Sequence, residues 1–178
     1  MIEIIQEHEC GVKLLKNPFF NDSRGTFCKT FNDQDFLNKG LFFKPKENFY
    51  SISNKFVLRG MHFQIANSAQ EKLVTCIKGN ILDVVVDIRR KSKFFKNVYS
   101  FELDEKSGFS VFIPKGFAHG FISLCDDSIA NYLVSTVHKP INDKGIKWDS
   151  IDFDWPCKNP IVSDRDESHP KISEIYYF

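Results

Sequence analysis

Residues 59–72 read R-G-M-H-F-Q-I-A-N-S-A-Q-E-K, which places a guanidinium (Arg59), an imidazole (His62), a carboxamide (Gln64) and an ammonium (Lys72) within fourteen positions. Imidazole takes up and returns protons near neutral pH. A guanidinium suits bidentate contacts to phosphate, and a fixed ammonium stabilises a developing oxyanion. A second stretch, residues 108–121 (G-F-S-V-F-I-P-K-G-F-A-H-G-F), ends with another imidazole, His119. Apolar, strand-like segments flank the first stretch, so both are expected to line one pocket inside a β-barrel. Each group also has a plainer use: His62 as a hydrogen-bonded core histidine, Arg59 and Lys72 as rim charges, and His119 as a polar residue at a barrel mouth.

The elements that must position these groups are mostly strands. Residues 1–31 read as short strands joined by a turn at Asn21-Asp22-Ser23-Arg24-Gly25. Asn32 is placed to cap a short helix over residues 33–38, closed by Gly40. Residues 41–56 read as loop plus strand. Residues 72–77 and 81–88 are two strands around Lys78-Gly79-Asn80, and the pair reads as a hairpin. Within the second, Asp83 and Asp87 fall on one face and Val84, Val86 and Ile88 on the other. Further strands are expected at 98–103, 109–113, 120–124 and 129–136. Their short, even spacing indicates an all-β sandwich or barrel. The tail after Pro140 is rich in Asp, Pro and Trp with little periodicity.

A chain of 178 residues, 42% hydrophobic and 26% charged, suits a single globular domain over 1–178 with a sizeable core. A net charge of +1 gives no electrostatic case for nucleic acid or a membrane surface. Nineteen Phe offer bulk for a narrow barrel interior or a stacking surface for a nucleobase. Cys10, Cys28, Cys76, Cys125 and Cys157 are scattered without a C-x-x-C pair. Reduced thiols in a cytoplasmic protein are therefore expected, rather than a disulfide framework or zinc site. The early acidic residues of M-I-E-I-I-Q-E-H-E-C argue against a signal peptide. No run approaches the roughly 20 apolar residues of a membrane helix.

Gly108, Pro114, Gly116 and His119 resemble the second barrel motif of the cupins, G-x5-P-x-G-x2-H. Its glycines and proline turn a tight corner between barrel strands. Many cupins hold a metal through an H-x-H pair. Here that segment reads His62-Phe63-Gln64, leaving too few imidazole or carboxylate ligands, so metal-free chemistry is expected.

R-G-M-H-F-Q, Q-E-K-L-V, D-V-V-V-D-I-R-R, I-P-K-G-F-A-H-G-F, G-I-K-W-D and S-D-R-D follow one another between about residues 22 and 166. In that order they resemble the dTDP-4-dehydrorhamnose 3,5-epimerase family, over nearly the whole chain. The resemblance implies a jelly-roll (cupin) subunit with short N-terminal strands and a few short helices, forming a homodimer. It also implies a nucleotide-linked 4-keto sugar as substrate and no metal or organic cofactor. On the same ground His62 matches the base, Asp166 the carboxylate that orients it, Lys72 the cation at the keto oxygen and Tyr132 the acid on the far side. Arg24 and Arg59 match arginines near the pyrophosphate, and Phe27 a stacking surface. Gln64, His119 and Asn48 complete the expected substrate-binding set. Outside the joint match, Tyr132 would be a core aromatic and Asp166 a solvated charge in D-R-D-E.

The departures gather at the base-binding end. Lys29 stands where the family has a glutamate near thymine, Val137 where it has a stacking tyrosine, and Lys46-Glu47-Asn48 where it has Q-D-N or Q-E-N. A lysine offers only donors and so suits the acceptor-rich edge of guanine. That pattern resembles the family's branch acting on GDP-linked 4-keto heptoses in capsule or surface polysaccharide biosynthesis, with a dTDP-4-keto-6-deoxyhexose as the other substrate considered. Two rival functions are a C3-only epimerase or keto-isomerase of the same fold, and a cupin that binds a sugar nucleotide without catalysis.

Overall fold

Period-two alternation dominates the chain, and in the computed structural model, which describes residues 1–178, it resolves into thirteen strands. The first half carries β1 (Glu3–Glu7), β2 (Lys13–Lys16), β3 (Phe19–Asp22), β4 (Gly25–Cys28), helix α1 (Asp33–Asn38), β5 (Glu47–Ser53) and β6 (Leu58–Gln64). The second half carries β7 (Lys72–Lys78), β8 (Asn80–Asp87), β9 (Val98–Asp104), β10 (Phe109–Ile113), β11 (Phe117–Ser123), β12 (Ser128–Val134), β13 (Asp143–Gly145) and helix α2 (Asp164–Glu167). Six strands form one sheet in the order β1-β2-β10-β7-β12-β5, and five form a second, β13-β6-β11-β8-β9. Strands β3 and β4 make a separate hairpin. This is the expected all-β jelly-roll of the cupin type.

The inner faces of the two sheets meet in a core that includes Val74, Tyr132 and Val134 from the first and Ile81, Val85 and Phe121 from the second. The second sheet is buried on its outer face too, where Met61, Phe63, Val84 and Val86 meet Ile146, Ile151, Ile172 and Ile175 of the tail. The aperiodic tail is thus a cover for the second sheet. Burying a side chain such as Ile contributes about 1.5–3 kcal/mol, so these four anchor the segment that carries Asp166. Helix α1 covers part of the first sheet's outer face through Phe36, against Phe43 and Phe112. As expected, Asn32 caps it by accepting from the Asp35 N–H at 3.0 Å, and Gly40 follows at φ +72°.

One expectation fails in an informative way. β7 and β8 are not a hairpin: β7 pairs with β10 and β12, and β8 with β9 and β11. Gly79, at φ +77°, is the only residue between them. Instead of folding the chain back within one sheet, it turns the chain around a barrel corner, from one sheet into the other. Pro114, Lys115 and Gly116 (φ +85°) turn the equivalent corner between β10 and β11. All five cysteines are free, and no helix is long and apolar enough to cross a membrane.

Candidate active site

The spacing of Arg59 and His62 has a geometric reason. Strict alternation would send residues three apart to opposite faces of a strand. In the β6–β11 pair, however, His62 opposes His119 while Arg59 opposes Phe121, so β6 carries one extra residue at Gly60-Met61. This bulge restores both side chains to the inner face. Gly60 permits it: its φ is +137°, and a Cβ there would lie 2.5 Å from the Gly120 Cα. The bulge also frees the Gly60 N–H, which donates to Asp166 Oδ2 at 3.0 Å.

Asp166 Oδ1 lies 2.7 Å from His62 Nε2, so one carboxylate holds both the bulge and the imidazole. Helix α2 presents Asp166, and the Ser163 side chain caps that helix by accepting from the Asp166 N–H. Burial pushes the Asp166 carboxyl up, but the hydrogen bond and charge of His62 and the Gly60 N–H outweigh it and hold the group below the usual carboxylate range. A carboxylate so placed fixes the imidazole's tautomer and orientation and stabilises the imidazolium.

The other groups converge on a cavity of about 370 Å³ between the sheets, lined by Arg59, His62, Gln64, Lys72, His119, Tyr132 and Asp166 among others. Lys72 begins β7 and donates from Nζ to the His62 carbonyl at 3.1 Å. Burial lowers its ammonium pKa to about 8, against the opposing pull of Asp143 and Asp83. Tyr132 projects from β12, in the sheet opposite His62, and its ring stacks on Phe49 at 4.8 Å and 15°. Burial pushes its phenol up, which keeps it protonated. His119 is buried with Nε2 2.7 Å from Asp83 Oδ2, and burial pushes its imidazole pKa down. Arg59 sits at the cavity edge, donating to Ser53 Oγ and the Ile52 carbonyl, both at 3.0 Å.

Four residues expected at the substrate lie elsewhere in the chain's own fold, and one reaches the cavity in another role. Arg24, Phe27 and Lys29 belong to the β3–β4 hairpin and the residue after it. That hairpin borders the outward face of the first sheet, where Phe19, Thr26 and Cys28 share a groove with Thr75 and Ile77. Arg24 is further committed to a local ion pair with Asp22, Nη2 to Oδ2 at 2.5 Å. Asn48 is exposed: it alternates with Glu47 and Phe49, which line the cavity, and so points outward from β5. Gln64 does line the cavity, but its amide is spent on the fold. Nε2 donates to Gln70 Oε1 at 3.0 Å, and Oε1 accepts from the Lys139 N–H at 2.8 Å. With Gln64 so engaged and His119 held by Asp83, these two do not present an open cupin-type ligand set.

The cavity also holds residues that the motifs did not mark. Phe49 packs the acid candidate, and Glu47 and Ser51 share its face of β5. At the rim, Asp143 joins Arg165 at 2.6 Å and His138 at 3.1 Å. Reading E-N-F-Y-S-I-S as one alternating strand would have placed Glu47, Phe49 and Ser51 together. The rim trio comes from segments without periodicity and left no such signal.

A base held by a carboxylate, a buried ammonium and a protonated phenol on the opposite wall can enolise and reprotonate a carbon acid beside a carbonyl. Comparison with known proteins points the same way. The sequence pattern of the family described as dTDP-4-dehydrorhamnose 3,5-epimerase matches residues 9–174. The dTDP-4-dehydrorhamnose 3,5-epimerase of Shigella flexneri is 34% identical over 180 residues, covering 99% of each chain. The crystal structure of the Bacillus anthracis str. Ames enzyme of that name, with TDP and PPi bound, superposes with a TM-score of 0.93 at 32% identity, covering 96% of this chain and 99% of that one. ChmJ of Streptomyces bikiniensis, a 3'-monoepimerase in complex with dTDP-quinovose, superposes with a TM-score of 0.85 at 28% identity, covering 91% and 84%.

Proposed function

The chain belongs to the dTDP-4-dehydrorhamnose 3,5-epimerase family, whose members are isomerases, and we propose that it inverts the carbons flanking the keto group of a nucleotide-linked 4-keto sugar. The observation that carries this reading is the His62–Asp166 pair facing Tyr132 across one cavity, with Lys72 between them in sequence and beside His62 in space. The His62 ring nitrogen not held by Asp166 removes the proton next to the keto group, breaking the C–H bond and forming imidazolium and enolate. Lys72 stabilises the enolate oxygen. Tyr132 delivers its phenolic proton to the opposite face, forming the new C–H bond, and solvent restores both groups to their starting states. The test is incubation with a dTDP-4-keto-6-deoxyhexose in D2O, counting deuterium at C3 and C5. Incorporation at both with inversion is expected; a bound but unexchanged sugar would make this a binding module. The 3'-monoepimerase relative supports a second reading in which only C3 exchanges.

The same site sets an alkaline limit. The cationic form of Lys72 exists below its pKa of about 8, so turnover should fall as pH rises through that value. A pH–rate profile flat to well above 9 would remove Lys72 from the role of fixed cation.

The nucleotide follows from two sets of facts. Similarity favours thymidine, because the Shigella, Bacillus and Streptomyces relatives are named for dTDP sugars or hold TDP or a dTDP sugar. The guanosine reading, with its capsule or surface polysaccharide role, rests on Lys29, Val137 and Lys46. None of the three lines the cavity of its own chain. We therefore favour dTDP. Only a Lys29 brought to the base by a second copy would stand where a carboxylate accepts thymine's N–H, and there it would cost thymidine about 1–3 kcal/mol. Calorimetric titration of wild type and Lys29→Glu with both diphosphates decides the matter. Tighter thymidine binding by the wild type is expected. Tighter guanosine binding, reversed by Lys29→Glu, would establish the guanosine reading.

We further read the working unit as a homodimer. Tyr50, Ile52 and Ile77 are 63%, 51% and 50% exposed on the outward face of the first sheet, an apolar surface that a second copy would cover. A partner copy is also the means by which Arg24, Phe27 and Lys29 could reach a cavity that their own chain denies them. The expected result is a dimer by sedimentation, and a monomer with weakened nucleotide binding for Ile52→Asp.

A further inference from the structure

We propose that His62, Asp166 and His169 form an inhibitory binding site for a divalent transition-metal ion such as zinc. The consequence for turnover rests on the reading of His62 as base; the binding itself does not. His169 has no part in the proton transfers above, yet it stands directly behind the pair that performs them. Its Nε2 lies 3.7 Å from Asp166 Oδ1, the same oxygen that His62 Nε2 approaches at 2.7 Å. The two imidazole rings meet edge to face at 5.7 Å. One ligand atom from each of the three residues lies within 4.8 Å of the other two.

Two features make this a built arrangement. Gly145 is the residue of β13 opposite His62 in register, and the ring of His169 occupies the space where a Cβ at Gly145 would project. The glycine is therefore what admits a second imidazole to the pair. The Nε2 of His169 is also buried and has no hydrogen-bond partner. A buried polar atom without a partner is destabilising, and a metal ion would satisfy it.

The donor set fixes the class of ion. Two imidazoles and one carboxylate suit zinc, copper, nickel or ferrous ions, whereas calcium and magnesium prefer oxygen ligands. Occupancy excludes catalysis, because the ion takes the carboxylate that orients His62, and its positive charge beside the ring disfavours the imidazolium that proton abstraction must form. Loss of metal should accordingly leave full activity, and addition of zinc should abolish it.

The experiment uses the full chain freed of metal by chelator and dialysis. Zinc affinity is read by competition with a zinc-sensitive dye, and site geometry by the visible absorption of bound cobalt(II). Turnover is followed over the same zinc titration. For wild type, one zinc per chain with inhibition in proportion to occupancy is expected, reversed by chelator. His169→Ala should remain active without zinc, bind it at least about 10- to 100-fold more weakly, a loss no smaller than that caused by removing an outer-shell partner, and resist inhibition in parallel. Gly145→Ala, whose methyl displaces the His169 ring, should weaken zinc binding in the same way with every ligand still present. His169→Gln serves if the alanine variant does not fold. Equal zinc affinity in wild type and the His169 variants, or no binding by wild type, overturns the proposal. The dye and cobalt measurements need no turnover, so they decide it even if the epimerase reading fails.

Discussion

His62→Asn should yield a folded protein in which deuterium exchange beside the keto group falls by about 10²–10⁴-fold at both carbons. That range is what a positioned general base contributes, and it corresponds to about 2.7–5.4 kcal/mol of barrier. The substitution isolates the proton-accepting nitrogen. The shorter asparagine amide gives up the contact with Asp166 Oδ1, but Asp166 Oδ2 keeps the Gly60 N–H, so the bulge in β6 retains its partner. The His62 side chain is 29% exposed, so the smaller amide leaves room for water instead of a dry cavity in the core. Arg59 and Lys72, the substrate contacts proposed above, are left in place, and affinity for the nucleotide should be little changed. Exchange measured in D2O, with thermal denaturation as the control for folding, checks the assignment. A variant that folds and exchanges at the wild-type rate would show that another group removes the proton.

Much of this was legible from residue types and spacing, and the failures share a cause. Asn32 and Gly40 marked α1 because caps are local chemistry. The corner at Pro114 and Gly116 was readable because it needs a left-handed residue at a fixed offset. By contrast, Lys78-Gly79-Asn80 carries the same local signal as a hairpin turn, and nothing local says whether the next strand stays in the sheet or crosses the barrel. That choice is made by partners distant in sequence, β10 and β12 for one strand and β9 and β11 for the other. The motif R-G-M-H named two site residues without revealing why they share a face, since a bulge is a property of a strand pair and not of one strand. Arg24, Phe27 and Lys29 were named as substrate contacts on family resemblance. A resemblance assigns roles without saying which copy of a chain performs them, and within one chain the first sheet separates these residues from the cavity. His169 escaped notice because its neighbour in space, Gly145, is 24 positions away and is informative through the side chain it lacks.

Tyr132→Phe should separate the two halves of the reaction. His62 lies on β6 in the second sheet and Tyr132 on β12 in the first, so the two reach a sugar held between the sheets from opposite faces. Removing a proton from one face and returning it to the same face exchanges deuterium without inversion; only a donor on the other wall inverts the centre. Phenylalanine retains the ring that stacks on Phe49 at 4.8 Å and the burial that leaves Tyr132 only 7% exposed. Stability should therefore change little, because what is lost is one hydroxyl. Burial holds that hydroxyl protonated in the wild type by pushing its pKa up, as a group that must donate requires. With the base untouched, exchange at C3 should continue at a rate within about tenfold of wild type, while inverted product falls by about 10²-fold or more, the lower range for loss of a general acid. Mass spectrometry of the recovered sugar gives the exchange, and resolution of the epimers gives the inversion. Inversion at the wild-type rate would reduce Tyr132 to a packing residue. Loss of exchange and inversion together would mean that the phenol helps to hold the substrate for His62 as well as to protonate it.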